Sequence, residues 1–192
     1  MRPAGPVPAH APAVRIMHWA SAITLAATYL LAWTIADATS REEAARLLML
    51  HRSLGCAMLL LTLLRLAIRL RSAAPPFPAD MPRLQQVAAR ANALALYALL
   101  LLQPLAGLAG SMLHGDRIRV FGNLLLPNLL VANRPLAHRV FEAHGWIATA
   151  LLALIGLHVA AALFHHLVRR DGVLTGMLPG LPYPPRRKRI LP

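Results

Sequence analysis

Nine histidines stand in the chain, and four of them, His18, His51, His144 and His158, fall at or inside stretches otherwise built of Leu, Ala, Ile and Val. An imidazole can ligate a metal, carry a proton or bond a carbonyl, and its cost in an apolar setting marks it as a candidate for function. Spacing narrows the choice. His144 and His158 are fourteen residues apart, which advances a helix by about 21 Å and turns it about 1400°, some 40° short of four turns. One helix would therefore carry both on nearly one face at two depths. Arg65 follows His51 by the same interval. The single cysteine, Cys56, can form neither an internal disulfide nor a CxxC site.

The elements that must hold these residues follow from composition. The 192 residues are 57% hydrophobic and 14% charged, whereas soluble domains average about 25% charged. The net charge of +13 would suggest nucleic acid if it were spread, but long stretches carry none of it, so the chain reads as an integral membrane protein. A hydrocarbon core needs about 20 apolar residues per helix. Residues 16–36, 47–70, 91–113 and 145–167 supply them, without the alternation of a barrel strand. The expected fold is all-α, a four-transmembrane-helix up-down bundle over residues 16–170. A disordered leader (1–15) precedes it, and a solvated basic Pro-rich tail (171–192) follows.

Thirteen of the twenty Lys and Arg lie with the N-terminus, second connection and tail, and five of the seven acids lie on the other side. Both termini are thus expected on the cytoplasmic side. The length of the first apolar stretch argues against a cleaved signal peptide.

With that topology, His18 and His158 share the inner depth while His51 and His144 share the outer one. Two facing histidines at one level of a bundle suit a six-coordinate haem iron, and a bundle core is a usual place for such a cofactor. Zinc or non-haem iron would want more ligands per level, and no Asp or Glu lies in any span. The plain alternative is four histidines that each bond a backbone carbonyl. Arg15, Arg65 and Arg69 are placed to meet anionic haem propionates. Arg71 reads as a positive-inside anchor. His165, two turns beyond His158, could bond a propionate or a quinone carbonyl. Gly55 and Gly145 either clear space beside a ligand or form small-residue helix contacts. Gln103-Pro104, Gly107 and Gly110 suggest a kinked third helix packed through small residues. His166 reads as interfacial, His114 and His138 as solvated, and His10 receives no role.

These residues resemble those of the prokaryotic cytochrome b561 family. The resemblance rests on Arg15-Ile-Met-His18-Trp19, His51-Arg-Ser-Leu-Gly55, Arg65-Leu-Ala-Ile-Arg69, His144-Gly145-Trp146 and Gly156-Leu157-His158, followed by Phe164-His165-His166. It implies two b-type haems, ligated at His18/His158 near the cytoplasm and at His51/His144 outside, with ubiquinone as substrate and the membrane lipid as surroundings. Some relatives oxidise superoxide, and others serve as cytochrome subunits of hydrogenases or dehydrogenases. The Pro-rich leader and basic tail depart from the pattern.

The expected function is quinone-linked electron transfer in the respiratory chain from a small anionic or protein donor outside, an oxidoreductase role with no catalytic side chain assigned. Arg52 and Arg139, beside Arg117, Arg119, Arg134 and His138, would draw a small anion such as superoxide toward the outer haem. The rivals are a cytochrome subunit anchoring a hydrogenase or dehydrogenase, and a haem-free anchor or transporter.

Overall fold

The computed structural model describes residues 10–72, 76–78, 81–171 and 173–178. Four long helices dominate it: α1 (Pro12–Ala36), α2 (Arg41–Arg71), α3 (Arg83–His114) and α4 (Arg134–Phe164), the last continued by a π turn at His165–Arg169. All four are long and apolar enough to cross a membrane.

Each helix starts before its apolar stretch does, because local chemistry sets its end. Pro12 opens α1 with a fixed φ and no N–H to satisfy. Ser40 caps α2 by accepting from Glu43 N–H (3.1 Å), and the Glu43 carboxylate accepts from Thr39 N–H (2.9 Å). Asn133 does the same for α4, accepting from Leu136 N–H (3.1 Å) with Pro135 beside it. Such a cap stabilises a helix by about 1 kcal/mol. At the far end of α3, Gly115 takes φ 89° and lets Asp116 N–H return to Ser111 O (3.1 Å).

The backbones of α1 and α2, α2 and α3, and α3 and α4 pack side by side. α1 and α4 are joined through side chains, among them the Tyr29 hydroxyl donating to Ala148 O (2.6 Å). A small apolar core of Met58, Leu100 and Leu151, surrounded by Leu25, Leu96, Leu99 and Ile155, fills the middle. Large apolar side chains such as Ile23, Leu60, Leu94 and Leu157 are exposed around the bundle. Helices apolar on nearly every side belong in lipid, where close packing of small residues replaces hydrophobic burial as the cohesive force. Gly110 shows that packing, because a Cβ there would lie 2.7 Å from the Phe141 ring.

The third connection is more than a loop. β1 (Arg119–Val120) and β2 (Leu124–Leu125) form an antiparallel hairpin, turning through Phe121 (φ 51°) and Gly122 (φ 86°). Ile118 and Val120 are buried beneath it. Phe121 N–H donates to Ser53 Oγ (2.7 Å), hooking the hairpin onto α2.

The two chain ends also depart from their expected solvation. Residues 12–15 are helical rather than part of a leader. Beyond α4, Thr175 and Gly176 are buried. Met177 O accepts from Trp19 Nε1–H (3.0 Å), and Gly176 O accepts from His10 N–H (3.2 Å). Residues 173–178 therefore lie back over the start of α1. The rest of the basic tail and the first nine residues lie outside the described residues.

Candidate haem centres

The four intramembrane histidines meet in two pairs. His18 on α1 faces His158 on α4 with ring centroids 6.1 Å apart and planes at 59°. His51 on α2 faces His144 on α4 at 6.4 Å and 77°. A metal ion held between two imidazoles at about 2.0–2.1 Å from each nitrogen separates the ring centroids by about 6.4 Å. Both pairs have the span that one shared ion requires. Among the described residues, no group of three or more His, Cys, Asp or Glu converges on a point.

The outer pair is oriented by backbone. His51 Nδ1 lies 3.2 Å from Thr28 O on α1, and His144 Nδ1 lies 3.0 Å from Gln103 O on α3. A ring that donates Nδ1–H to a carbonyl leaves the Nε2 lone pair for a ligand bond. The Gln103 amide rests on His144 Nε2 at 3.2 Å, and its Oε1 is buried with no partner among the described residues. Around the pair lies a cavity of about 400 Å³, walled by Tyr29, Gly55, Met58, Gly145 and Leu151 among others, within the usual size range of a cofactor pocket.

Gly55 and Gly145 resolve an open question. A Cβ at either would meet nothing within 4 Å, so they clear space in the cavity and are not contacts between helices. Gly107 is a contact, because a Cβ there would approach His144 Cε1 to 3.1 Å. These dimensions, the glycine walls and the two nitrogen-donor pairs fit haem.

The inner pair is surrounded by charge. Arg65 acts electrostatically on both His18 and His158, and its guanidinium lies 5.2 Å from the centre of the Tyr97 ring. His18 Nδ1 and Arg65 Nε are buried with no partner among the described residues. Orphaned donors at this level suit anionic propionates. Arg15 and Arg69 join Arg65 around His10, whose imidazole is held below its usual range by burial first and by Arg69, Arg15 and Arg65 after that. His10 thus belongs to the inner mouth, which an Ala/Pro-rich setting gave no reason to expect. His165 is buried, with Nδ1 2.6 Å from Asp171 Oδ2.

The outer arginines are less available than their sequence positions suggest. Arg52 pairs with Asp116 and reaches Ser111 Oγ (3.1 Å), so its charge is matched within the protein. His114 lies 2.8 Å from the other Asp116 oxygen. Burial alone would raise the Asp116 carboxyl, but His114 and Arg52 outweigh it and hold it below the usual carboxylate range. His138 pairs with Glu142 at the surface (3.4 Å). Arg117, Arg119, Arg134 and Arg139 remain exposed.

Residues 9–180 match the family described as prokaryotic cytochrome b561. The chain is 35% identical to the probable superoxide oxidase CybB of Yersinia pestis over 132 residues, covering 68% of this chain and 74% of the relative. It is 31% identical to cytochrome b561 homolog 2 of Escherichia coli K12 over 163 residues, covering 84% and 86%. Homolog 1 of the same organism is 28% identical over 165 residues, covering 85% and 93%. The chain therefore belongs to the prokaryotic cytochrome b561 family, as a membrane-embedded b-type cytochrome of electron transfer.

Proposed function

We propose that the protein holds two b-type haems, one between His18 and His158 and one between His51 and His144, and carries electrons from superoxide outside to ubiquinone near the cytoplasm. The observation that carries the reading is the pair of facing imidazoles at each of two levels. Bound haem would supply the one-electron redox change, and the protein supplies ligands, orientation and electrostatics.

The chain's own residues divide the work. Thr28 O and Gln103 O set the outer tautomers, Gly55 and Gly145 make room, and Arg15, Arg65 and Arg69 offset propionate charge. Arg117, Arg119, Arg134 and Arg139 concentrate a small anion at the outer mouth. There each superoxide leaves as dioxygen after giving up one electron. At the inner end one ubiquinone takes up two electrons and two protons. Superoxide is favoured as donor by the name of the Yersinia relative and by these exposed cations. The orientation, with both ends in the cytoplasm, rests on the placement of Lys and Arg, while the bacterial inner membrane and the respiratory chain are inferred from the family.

A redox titration of the purified protein, with haem quantified per chain, tests the count: two haems of separate potential are expected, and one would refute it. Superoxide should reduce the haems fastest at low salt, and Arg139→Gln should slow this. Failure to reduce at low salt would transfer the outer role to a protein donor.

A further inference from the structure

The two levels differ in how their arginines are matched. At the outer level, Arg52 follows His51 directly and is paired with Asp116, whose other oxygen lies 2.8 Å from His114 Nδ1. The Arg52 side chain is 14% exposed, so the one fixed positive charge held inside the protein here is cancelled by a fixed negative one. The remaining outer arginines, Arg117, Arg119, Arg134 and Arg139, are exposed, where water and salt screen them.

At the inner level the match is missing. Arg65 stands fourteen residues after His51 on α2, about 21 Å further along and on nearly the same face. Its charge acts on both His18 and His158. Its Nε is buried with no partner among the described residues, and its guanidinium lies 5.2 Å from the centre of the Tyr97 ring on α3, within cation–π reach. Arg15 and Arg69 add to the same field about His10. Among the described residues, the one carboxylate at this end is Asp171, and it is taken by His165 Nδ1 (2.6 Å) and Arg169 Nε (3.3 Å). Tyr97 therefore gives Arg65 a resting place within the bundle without supplying a counter-ion. A long cation near a helix end ordinarily snorkels to the headgroups. One held back, unmatched, inside a span is costly and marks function.

Resting on the reading of two haems, we infer that Arg65 sets the direction of electron flow by holding the inner haem at a higher reduction potential than the outer one. One electron leaves the ferrous outer iron and arrives at the ferric inner one, with no bond made or broken and no proton moved. Its arrival adds a negative charge beside an unmatched guanidinium, which favours the reduced state strongly where the dielectric is low. The Arg52–Asp116 pair is near neutral and gives the outer level no such preference. Propionates bring the same charge to both levels, so the difference comes from the protein. Tyr97 is a positioning residue that keeps the guanidinium at the depth of His18 and His158.

The test is a spectroscopic redox titration of the full-length, haem-loaded protein. The two midpoints are assigned with His51→Ala, which should keep the inner haem, and His158→Ala, which should keep the outer. In the wild type the inner midpoint is expected above the outer. Arg65→Gln should lower the inner midpoint by about 59 mV, a tenfold change in the one-electron equilibrium, and leave the outer one in place. Arg65→Lys keeps the charge and should hold most of the difference. Tyr97→Leu should lower the inner midpoint by less, and Tyr97→Phe should not move it. Asp116→Asn leaves Arg52 unmatched and should raise the outer midpoint. An inner midpoint unmoved in Arg65→Gln would overturn the inference. An equal fall in Arg65→Lys would also overturn it, since geometry rather than charge would then be at work. Should Arg65→Gln lose the inner haem, the wild-type order of midpoints and Tyr97→Leu decide in its place, and an inner midpoint below the outer or unmoved by Tyr97→Leu would overturn it. A single haem per chain would refute the two-haem reading, whereas two haems with unmoved midpoints refute the inference alone.

Discussion

The two histidine pairs have nearly the same span, 6.1 and 6.4 Å, yet they are held in opposite ways. Outside, both rings are tethered through Nδ1 to carbonyls of neighbouring helices, and a hairpin is hooked onto α2 at Ser53. Inside, His18 Nδ1 finds no partner among the described residues, His158 is exposed, and the surroundings are arginines. The outer pair is oriented by backbone hydrogen bonds. The inner pair lies among arginines. The same cofactor chemistry thus rests on backbone geometry at one level and on electrostatics at the other.

Removing ligands breaks this comparison most sharply. His51→Ala or His144→Ala should abolish the outer haem and leave the inner, while His18→Ala or His158→Ala should do the reverse. Each variant is expected to keep about half the haem per chain by pyridine haemochrome assay, since the altered level would lose one of its two ligands while the other keeps both. If His51→Ala and His158→Ala removed the same haem, the pairing would be wrong.

Filling the outer cavity sharpens the comparison with every ligand kept. Gly145→Leu places a branched side chain into the space beside His144 and should lower outer-haem occupancy severalfold without touching the inner spectrum. Gly107→Ala should act more mildly, because the 3.1 Å approach to His144 Cε1 demands a shift of only a few tenths of an ångström. Its expected mark is a displaced outer-haem spectrum at unchanged occupancy.

The smallest effect concerns the outer cap and pH. Asp116 titrates below the usual carboxylate range when folded, so it binds protons less readily in the native state than unfolded. Its stabilisation is therefore present above about pH 4 and is lost as pH falls through its lowered value. Hydrogen exchange across residues 118–126 should quicken at low pH relative to the helices. Asp116→Asn should show the faster exchange already at pH 7. Equal exchange in the variant and the wild type would remove the Arg52–Asp116 pair from the cap.

Much of this was legible in the sequence, and what was not has physical causes. Hydropathy marked the four spans because lipid selects on composition, but it could not mark helix ends, which Ser40, Asn133 and Pro12 set in water. Depth and face paired the histidines because a helix is regular. The carbonyls of Thr28 and Gln103 were invisible, since every residue has one and only packing decides which is used. Arg52 read as an attractor for anions until Asp116, 64 residues away, proved to neutralise it. Asp171 was hidden behind an irregularity, because no regular helix would let it touch His165. Which glycines are walls and which are contacts depends on neighbours from other helices, which local sequence does not specify.

α4 contributes one histidine to each level, whereas α1 and α2 contribute one apiece to a single level. The fourteen residues between His144 and His158 therefore act as a ruler with a phase as well as a length. One residue inserted between them would carry His158 about 1.5 Å along and 100° around, and no adjustment of α1 could meet it. A heptad inserted there would restore the phase to within about 20° but displace the ring by about 10.5 Å, past the level at which His18 waits. The same insertions between α1 and α2 or between α2 and α3 would leave both levels in register. Of the four helices, α4 is the one whose length between two points is fixed by chemistry.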